Sequence, residues 1–254
     1  MTASATYVYC IVSSKQPLQA TKIPAGPPGT AAVRALPIRP GRYLIVSEAP
    51  LAEYGEAPLS AKLSDLEWVS RAAVAHEAVT QAFMSADAVV PLKLFTLFTS
   101  DERALEQIGS GWKRVDALIR RPARHEEWGV RLVFDETRAP RDNAAAAAPS
   151  GRGYLMAKRQ QLAATSKQSG TMRKTAAGVL KKLRPLARDV RQRAVTTPPE
   201  SRSRLLLDAA FLVPRAKAGR FQKSVEASAK QIAPDGYALQ LTGPWPPYSF
   251  VDKG

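Results

Sequence analysis

The sequence predicts an α+β protein of two small domains. Each is a mostly antiparallel sheet packed by helices in ferredoxin-like layers, and the chain ends in an extended tail rich in proline and aromatics. Three observations predict it. Short β-branched and aromatic runs recur along the chain, bounded by proline and glycine. Between them lie stretches whose apolar residues repeat at helical spacing. Finally, residues 241 to 250 read Leu-Thr-Gly-Pro-Trp-Pro-Pro-Tyr-Ser-Phe. Pro244, Pro246 and Pro247 lack backbone donors and Gly243 is a turn residue, so regular structure is not expected there. Trp245, Tyr248 and Phe250 nevertheless offer large apolar surface, so the segment must dock on its own domain or on a partner.

The first element is Tyr7 to Val12, β-branched or aromatic on both faces, as in a buried central strand. Residues 17 to 30 hold four prolines and two glycines and make a loop. Ala31 to Leu36 and Arg42 to Ser47 are short strands joined by a hairpin-like turn at Pro37, Pro40 and Gly41. Residues 63 to 84 form an amphipathic helix. Ser64 and Glu67 are spaced as a capping box, and Leu66, Val69, Ala73, His76, Val79 and Phe83 follow at helical spacing. Ala88 to Leu92 is a strand that contains Pro91. A helix from Ser100 to Ile119 follows, weakened at Gly109 and Gly111.

Arg120 to Pro122 marks a boundary, giving domains 1–122 and 123–254. Beyond it, Glu126 to Phe134 alternates as a strand with Trp128, Val130, Leu132 and Phe134 on one face. Residues 138 to 151, with five consecutive alanines between Pro140 and Pro149, lose all apolar periodicity and read as an insertion. Basic helices span residues 152–195, with breaks at Gly170 and Pro185. Arg204 to Val213 is an apolar strand, and Lys217 to Ile232 a helix with Phe221, Val225, Ala229 and Ile232 a turn apart. Pro234-Asp235-Gly236 is a turn, and Tyr237 to Leu241 a last strand running into the tail at 243–254.

Charge is distributed unevenly. The net charge is +15. Residues 1–122 hold 13 basic against 11 acidic side chains, and residues 123–254 hold 24 against 11. Within 152–193 there are 12 basic residues and one acid, Asp189. Lys181, Lys182, Arg184, Arg188 and Arg191 are the candidate basic surface. Such a run is most often a solvated face, and an acidic protein partner is the next reading. Nucleic acid is a weaker one, because residues 155 to 203 contain no Phe, Trp or Tyr on which bases could stack.

Classes of function are excluded by what the chain lacks. One cysteine, Cys10, rules out an internal disulfide framework and fits a reducing cytosol. No apolar run reaches the roughly 18 residues needed to span a bilayer, so no transmembrane segment is expected. Met1 to Thr6 has no signal-peptide pattern. Neither a phosphate-binding glycine loop nor a Gly-x-Ser-x-Gly elbow is present. His76 and His125 stand without metal-ligand spacing, and Asp87 and Asp101 read as helix or strand-end caps. No catalytic, cofactor-binding or metal residue is assigned, and the chain is expected to be neither an enzyme nor a cofactor carrier.

Taken together, these stretches resemble the GvpL/GvpF family of gas-vesicle accessory proteins. Leu-Thr-Gly-Pro-Trp-Pro-Pro-Tyr-Ser-Phe-Val at 241–251 is similar to that family's C-terminal signature. Tyr-Val-Tyr-Cys-Ile-Val at 7–12 resembles its opening strand, and Ala-His-Glu-Ala-Val at 75–79 its helical Ala-His-Glu-x-Val. Val-Val-Pro-Leu-Lys at 89–93 with Thr96 resembles a strand and turn in which the family has glycine where Phe95 stands. Glu-Trp-Gly-Val at 127–130, Gly-Arg-Gly-Tyr-Leu at 151–155 and Phe-Leu-Val at 211–213 complete the likeness. The resemblance implies two α+β domains, no catalysis, and a cytoplasmic role in gas-vesicle assembly. It implies contact with the hydrophobic shell protein or with other accessory proteins. Trp245, Tyr248 and Phe250 are candidates for that contact or for docking of the tail, with internal docking favoured.

Overall fold

A strand that buries both faces needs covering layers on both sides, and β1 (Ser4–Ser13) has them. In the computed structural model, which describes residues 3–16, 18, 23–139, 151–195 and 202–251 (for 151–158 and 160–165 the backbone only), the chain divides into two units. Residues 1–127 with 244–254 form one, and residues 128–243 the other. The boundary expected at Pro122 falls before this division, and the tail expected with the second half lies in the first unit.

In the first unit β2 (Arg34–Arg39) and β3 (Arg42–Pro50) form the expected hairpin. The chain then makes two short helices, α1 (Leu51–Tyr54) and α2 (Glu56–Lys62), before α3 (Leu66–Ala82). Next come β4 (Ala88–Pro91), β5 (Leu97–Phe98), α4 (Asp101–Ser110) and α5 (Trp112–Arg120). The sheet order is β2-β3-β1-β4, with β5 also on β1. β1 is antiparallel to β3, β4 and β5. Pro91 is tolerated because β4 is an edge strand.

A bulge between Val8 and Cys10 sets the chemistry of β1. Tyr7 and Tyr9 face one core, and after the bulge Cys10 and Val12 face the same core, while Val8 and Ile11 face the other. An unbroken period of two would have divided these residues differently. α3 covers the tyrosine side through Trp68, Ala72, Val79 and Phe83. α4 and α5 cover the opposite side through Ala104 and Ile119.

Several expectations for this unit are corrected. α3 begins one residue later than a Ser64 cap requires, because the Asp65 carboxylate accepts from the backbone N–H of Glu67 and Trp68. Its buried residues are Trp68, Ala72, His76, Val79 and Thr80, with His76 and Val79 as expected, and Leu66 is 80% exposed. The helix after Ser100 is two helices, separated at Gly111; Ser100 does cap the first, accepting from the Arg103 N–H. Asp101 is not a cap. It accepts from Thr6 at 2.7 Å and from Arg34 at 2.9 Å, and the Arg34 bonds hold its carboxyl below the usual range. Asp87 likewise accepts from the Lys15 N–H rather than capping a helix.

The second unit contains β6 (His125–Asp135), α6 (Gly151–Leu183), β7 (Asp189–Gln192), β8 (Ser203–Pro214), α7 (Ala218–Ile232) and β9 (Tyr237–Trp245). This is βαββαβ with strand order β7-β8-β6-β9, the ferredoxin-like arrangement. Trp128, Val130, Leu132 and Phe134 face one core with Phe211, Val213 and Tyr237, under Met172, Val179 and Leu183 of α6 and Phe221 and Val225 of α7. Gly129 is required by close approach, since a Cβ there would lie 2.5 Å from the Thr242 hydroxyl.

Here too the structure corrects the sequence reading. Gly170 does not break α6, which runs 33 residues. Pro185 does end it, in a 3₁₀ turn at Arg184–Leu186. The segment after that turn is strand rather than helix, because residues 188–193 hydrogen-bond along the edge of β8. The proline-containing tail is also more regular than expected. β9 continues through Gly243 and Pro244 to Trp245, which is possible because it is an edge strand, and Tyr248–Val251 forms a short helix, α8. Of the expected insertion, residues 140–150 lie outside those described, as do the side chains of the Gly-Arg-Gly-Tyr-Leu stretch.

Candidate functional site

Two prolines in succession cannot continue a ladder, but they are good helix starters. Pro246 and Pro247 are buried, and the N–H of Phe250 donates to the Pro247 carbonyl at 2.9 Å to open α8. α8 presents Phe250, fully buried, and Val251, which joins Val8, Ile11, Ala88 and Val90 in the core beneath α4 and α5.

Two acids hold the polar side of this segment. The Tyr248 hydroxyl donates to Glu77 Oε2 at 2.5 Å. Ser249 donates twice to Glu127, from its backbone N–H at 2.7 Å and its hydroxyl at 2.6 Å. Glu127 is only 5% exposed, so these charge-assisted bonds take the place of its lost hydration. Burial, and then the Glu77 carboxylate, push the Tyr248 phenol well above its ordinary range. A cleft of about 280 Å³ beside it is lined by Ala73, His76, Glu77, Leu92, Lys93, Leu94 and Tyr248.

His76 sits at the floor of this region. Its Nδ1 lies 2.9 Å from the Tyr7 hydroxyl, which itself accepts from the Phe95 N–H at 3.2 Å. The donor in the Tyr7–Nδ1 bond is set by the tautomer of the imidazole. Nε2 lies beside the Leu92 carbonyl without a hydrogen bond of good geometry. Burial lowers the His76 pKa to about 4, so it is neutral at physiological pH. The Tyr7 phenol and the Cys10 thiol, both buried, are pushed up into their unreactive protonated forms. These three groups are therefore not poised as base or nucleophile. Among the described residues no three His, Cys, Asp or Glu side chains are grouped to hold a metal ion. The other histidine, His125, places Nδ1 2.6 Å from the Ala123 carbonyl.

Phe95 adopts φ 61°. This is the left-handed region, where glycine costs nothing and a side chain is strained. Its ring stacks on Trp68 at 5.4 Å and 9° and meets Tyr7 edge-on at 6.4 Å.

Of the three tail aromatics, the structure buries Phe250, half-buries Tyr248 and leaves Trp245 39% exposed. Trp245 ends β9, while the other two belong to α8. The five candidate basic residues follow one another from the end of α6 into β7. Lys181 and Lys182 are exposed at the end of α6, Arg184 is exposed in the turn, Arg188 is exposed beyond it, and Arg191 is on β7. Glu77, Glu127 and Ser249 were not singled out from the sequence. The signal available for the two acids was their place beside His76 and Trp128 in stretches that resemble family motifs.

No helix among the described residues is long and apolar enough to cross a membrane. A family model described as "Gas vesicle synthesis protein GvpL/GvpF" matches residues 5–252. The chain is 30% identical over 255 aligned positions to gas vesicle protein L of Streptomyces sp. (strain CB03234), covering 96% of this chain and 92% of that protein. Its fold is similar to the crystal structure of GvpF from Anabaena sp. PCC7120, with TM-score 0.71 at 17% identity, covering 99% and 97% of the two chains. It is also similar to GvpF from Microcystis aeruginosa, with TM-score 0.67 at 17% identity and coverage of 98% and 99%.

Proposed function

Because the chain belongs to the GvpL/GvpF family of gas vesicle synthesis proteins, we propose that it acts as a non-enzymatic adaptor in gas-vesicle assembly. It binds the hydrophobic shell protein, or another accessory protein, while the vesicle is nucleated or grows. The observation that carries this reading is the family match along nearly the whole chain. The chemistry of the site supports it. The buried histidine, tyrosine and thiol are held in unreactive forms, and the acids beside the tail are occupied in fastening it.

The physical task of such an adaptor is to keep an apolar subunit from aggregating until it joins the shell. Sheet edges can do this by strand addition and apolar grooves by helix docking. Both sheets have edges on which this is possible, β2 in the first unit and β7 and β9 in the second. A cytoplasmic location suits a chain whose lone cysteine is a buried thiol.

The test is co-expression of this protein with the shell protein and each of the other gas-vesicle proteins, followed by affinity capture. Specific capture of at least one gas-vesicle component is expected. Capture of none overturns the reading.

A further inference from the structure

A straight helix turns a seven-residue spacing into a row. α6 is continuous through Gly170 and Gly178, so Lys167, Lys174 and Lys181 project from nearly one line. Successive members are about 10.5 Å apart along the axis and drift by only about 20° each time. All three are exposed. The opposite face of the same helix is the one in the core, through Met172, Val179 and Leu183.

We propose that this row is a docking strip for an acidic helix of a partner protein that carries carboxylates at seven-residue spacing. The proposal rests on the adaptor reading for the existence of a protein partner, and goes beyond it in naming the surface and the partner's chemistry.

Charge complementarity is the first argument. The sequence has no acid from Asn143 to Arg188, while residues 151–188 hold ten basic side chains. Among the described residues, no ion pair engages Lys167, Lys174 or Lys181. Such a row repels itself and gains from an aligned row of opposite sign.

Shape is the second. Thr171 and Gly178 lie between the lysines on the same face, and a Cβ at Gly178 would meet nothing within 4 Å. The Thr171 hydroxyl is turned back onto the Lys167 carbonyl at 3.1 Å. The helix surface between the lysines is therefore low, and a second helix can approach to the ~8–10 Å axis separation of packed helices. Its own heptads then keep each carboxylate opposite a lysine.

Nucleic acid is the weaker occupant, because the helix has no aromatic side chain between residues 155 and 183 for a base to stack on.

The test uses the full chain and two helical peptides of identical composition, about three heptads long. One carries glutamate at every seventh position, and the other has the same glutamates scattered. The in-register peptide is expected to bind at least about ten-fold more tightly, with affinity that falls as salt rises. The triple variant K167E/K174E/K181E is expected to lose this preference. The variant R220E/K223E/K230E, with the same charge change on exposed positions of α7, is expected to keep it. Circular dichroism confirms folding of both.

Equal affinity for the two peptides, or equal loss in the two variants, reduces the strip to net charge and overturns the proposal. Tighter binding of a duplex or single-stranded oligonucleotide at the same lysines also overturns it. Affinity capture separates this from the adaptor reading. If K167E/K174E/K181E still captures gas-vesicle components as wild type does, the adaptor reading stands and the strip fails. If wild type captures none, the adaptor reading fails, and the peptide titration still judges the strip.

Discussion

The Tyr248 hydroxyl donates a 2.5 Å hydrogen bond to Glu77, joining the last helix of the chain to α3 across 171 positions of sequence. With the paired bonds from Ser249 to Glu127 it fastens a segment whose apolar side enters the first unit's core. The tail is thus a structural part of that unit.

Of the two polar fastenings, removing Glu127 is expected to cost more than removing the Tyr248 hydroxyl. Glu127→Ala leaves the Ser249 N–H and hydroxyl without their acceptor and should cost about 2–3 kcal/mol. Tyr248→Phe removes one bond at a half-buried position and should cost about 1 kcal/mol. Urea denaturation with a stability ranking in the reverse order contradicts the assignment of Glu127 as the main fastening.

The tail aromatics should separate in the same measurement. Phe250→Ala opens a cavity in the core and is expected to cost about 3–5 kcal/mol. Trp245, well over a third exposed at the end of an edge strand, should cost less than about 1.5 kcal/mol as Trp245→Ala. A Trp245→Ala variant as unstable as Phe250→Ala shows that the indole is a core anchor after all. If it folds normally but captures less of a gas-vesicle partner, Trp245 belongs to the binding surface.

Phe95 reverses a usual expectation. Alanine normally stabilises relative to glycine, because glycine has more freedom to lose. At φ 61°, however, Phe95→Ala keeps the backbone strain and loses the stack on Trp68, while Phe95→Gly loses the stack but relieves the strain. The glycine variant is expected to be the more stable of the two by about 1 kcal/mol. Thermal melts with alanine above glycine would falsify the strained conformation. The glycine that the family resemblance leads one to expect at this position has its physical reason here.

His76 gives the chain an acid sensitivity. Its pKa is lowered to about 4 by burial, against 6.5 in the unfolded chain. Well above pH 6.5 the ring is neutral in both states and contributes no pH dependence. As pH falls from 6.5 towards 4 the unfolded state takes up a proton that the folded state refuses, so stability is lost over that window, by about 3 kcal/mol in all. His76→Gln should flatten the slope between pH 6.5 and 5, whatever its effect at pH 7. Parallel slopes for variant and wild type in that interval rule the mechanism out.

Much of the fold was legible in local pattern. β1, the first hairpin, β6, β8 and α7 follow directly from apolar alternation or helical spacing bounded by proline and glycine, because each buries a face that its own sequence marks. Errors arose where neighbours decided. Asp65 outcompeted Ser64 as the cap of α3, and in the first half of the helix Trp68 and Ala72 are buried in place of Leu66 and Ala73, while His76, Val79 and Phe83 are buried as expected. Residues 189–192 became a strand only because the edge of β8 was there to pair with. The glycine at 170 cost α6 too little to break a helix anchored by Met172, Val179 and Leu183 in the core.

By itself the sequence determined the class of the protein, its family resemblance, the excess of cationic residues in its second half, and which tail residues had to find an apolar site. Those come from composition and from motifs a few residues long. Only the tertiary structure decided that the tail joins the first unit through Glu77 and Glu127. It also decided that a bulge turns Tyr9 and Cys10 into one core, and that three lysines share one helical face. The reason is physical: the first two depend on hydrogen bonds and close packing between residues far apart in sequence, and the third on a helix that stays unbroken through two glycines. The first two leave no mark in the periodicity of the segments they join, and the lysines' seven-residue spacing becomes a row only once the helix is known to be unbroken.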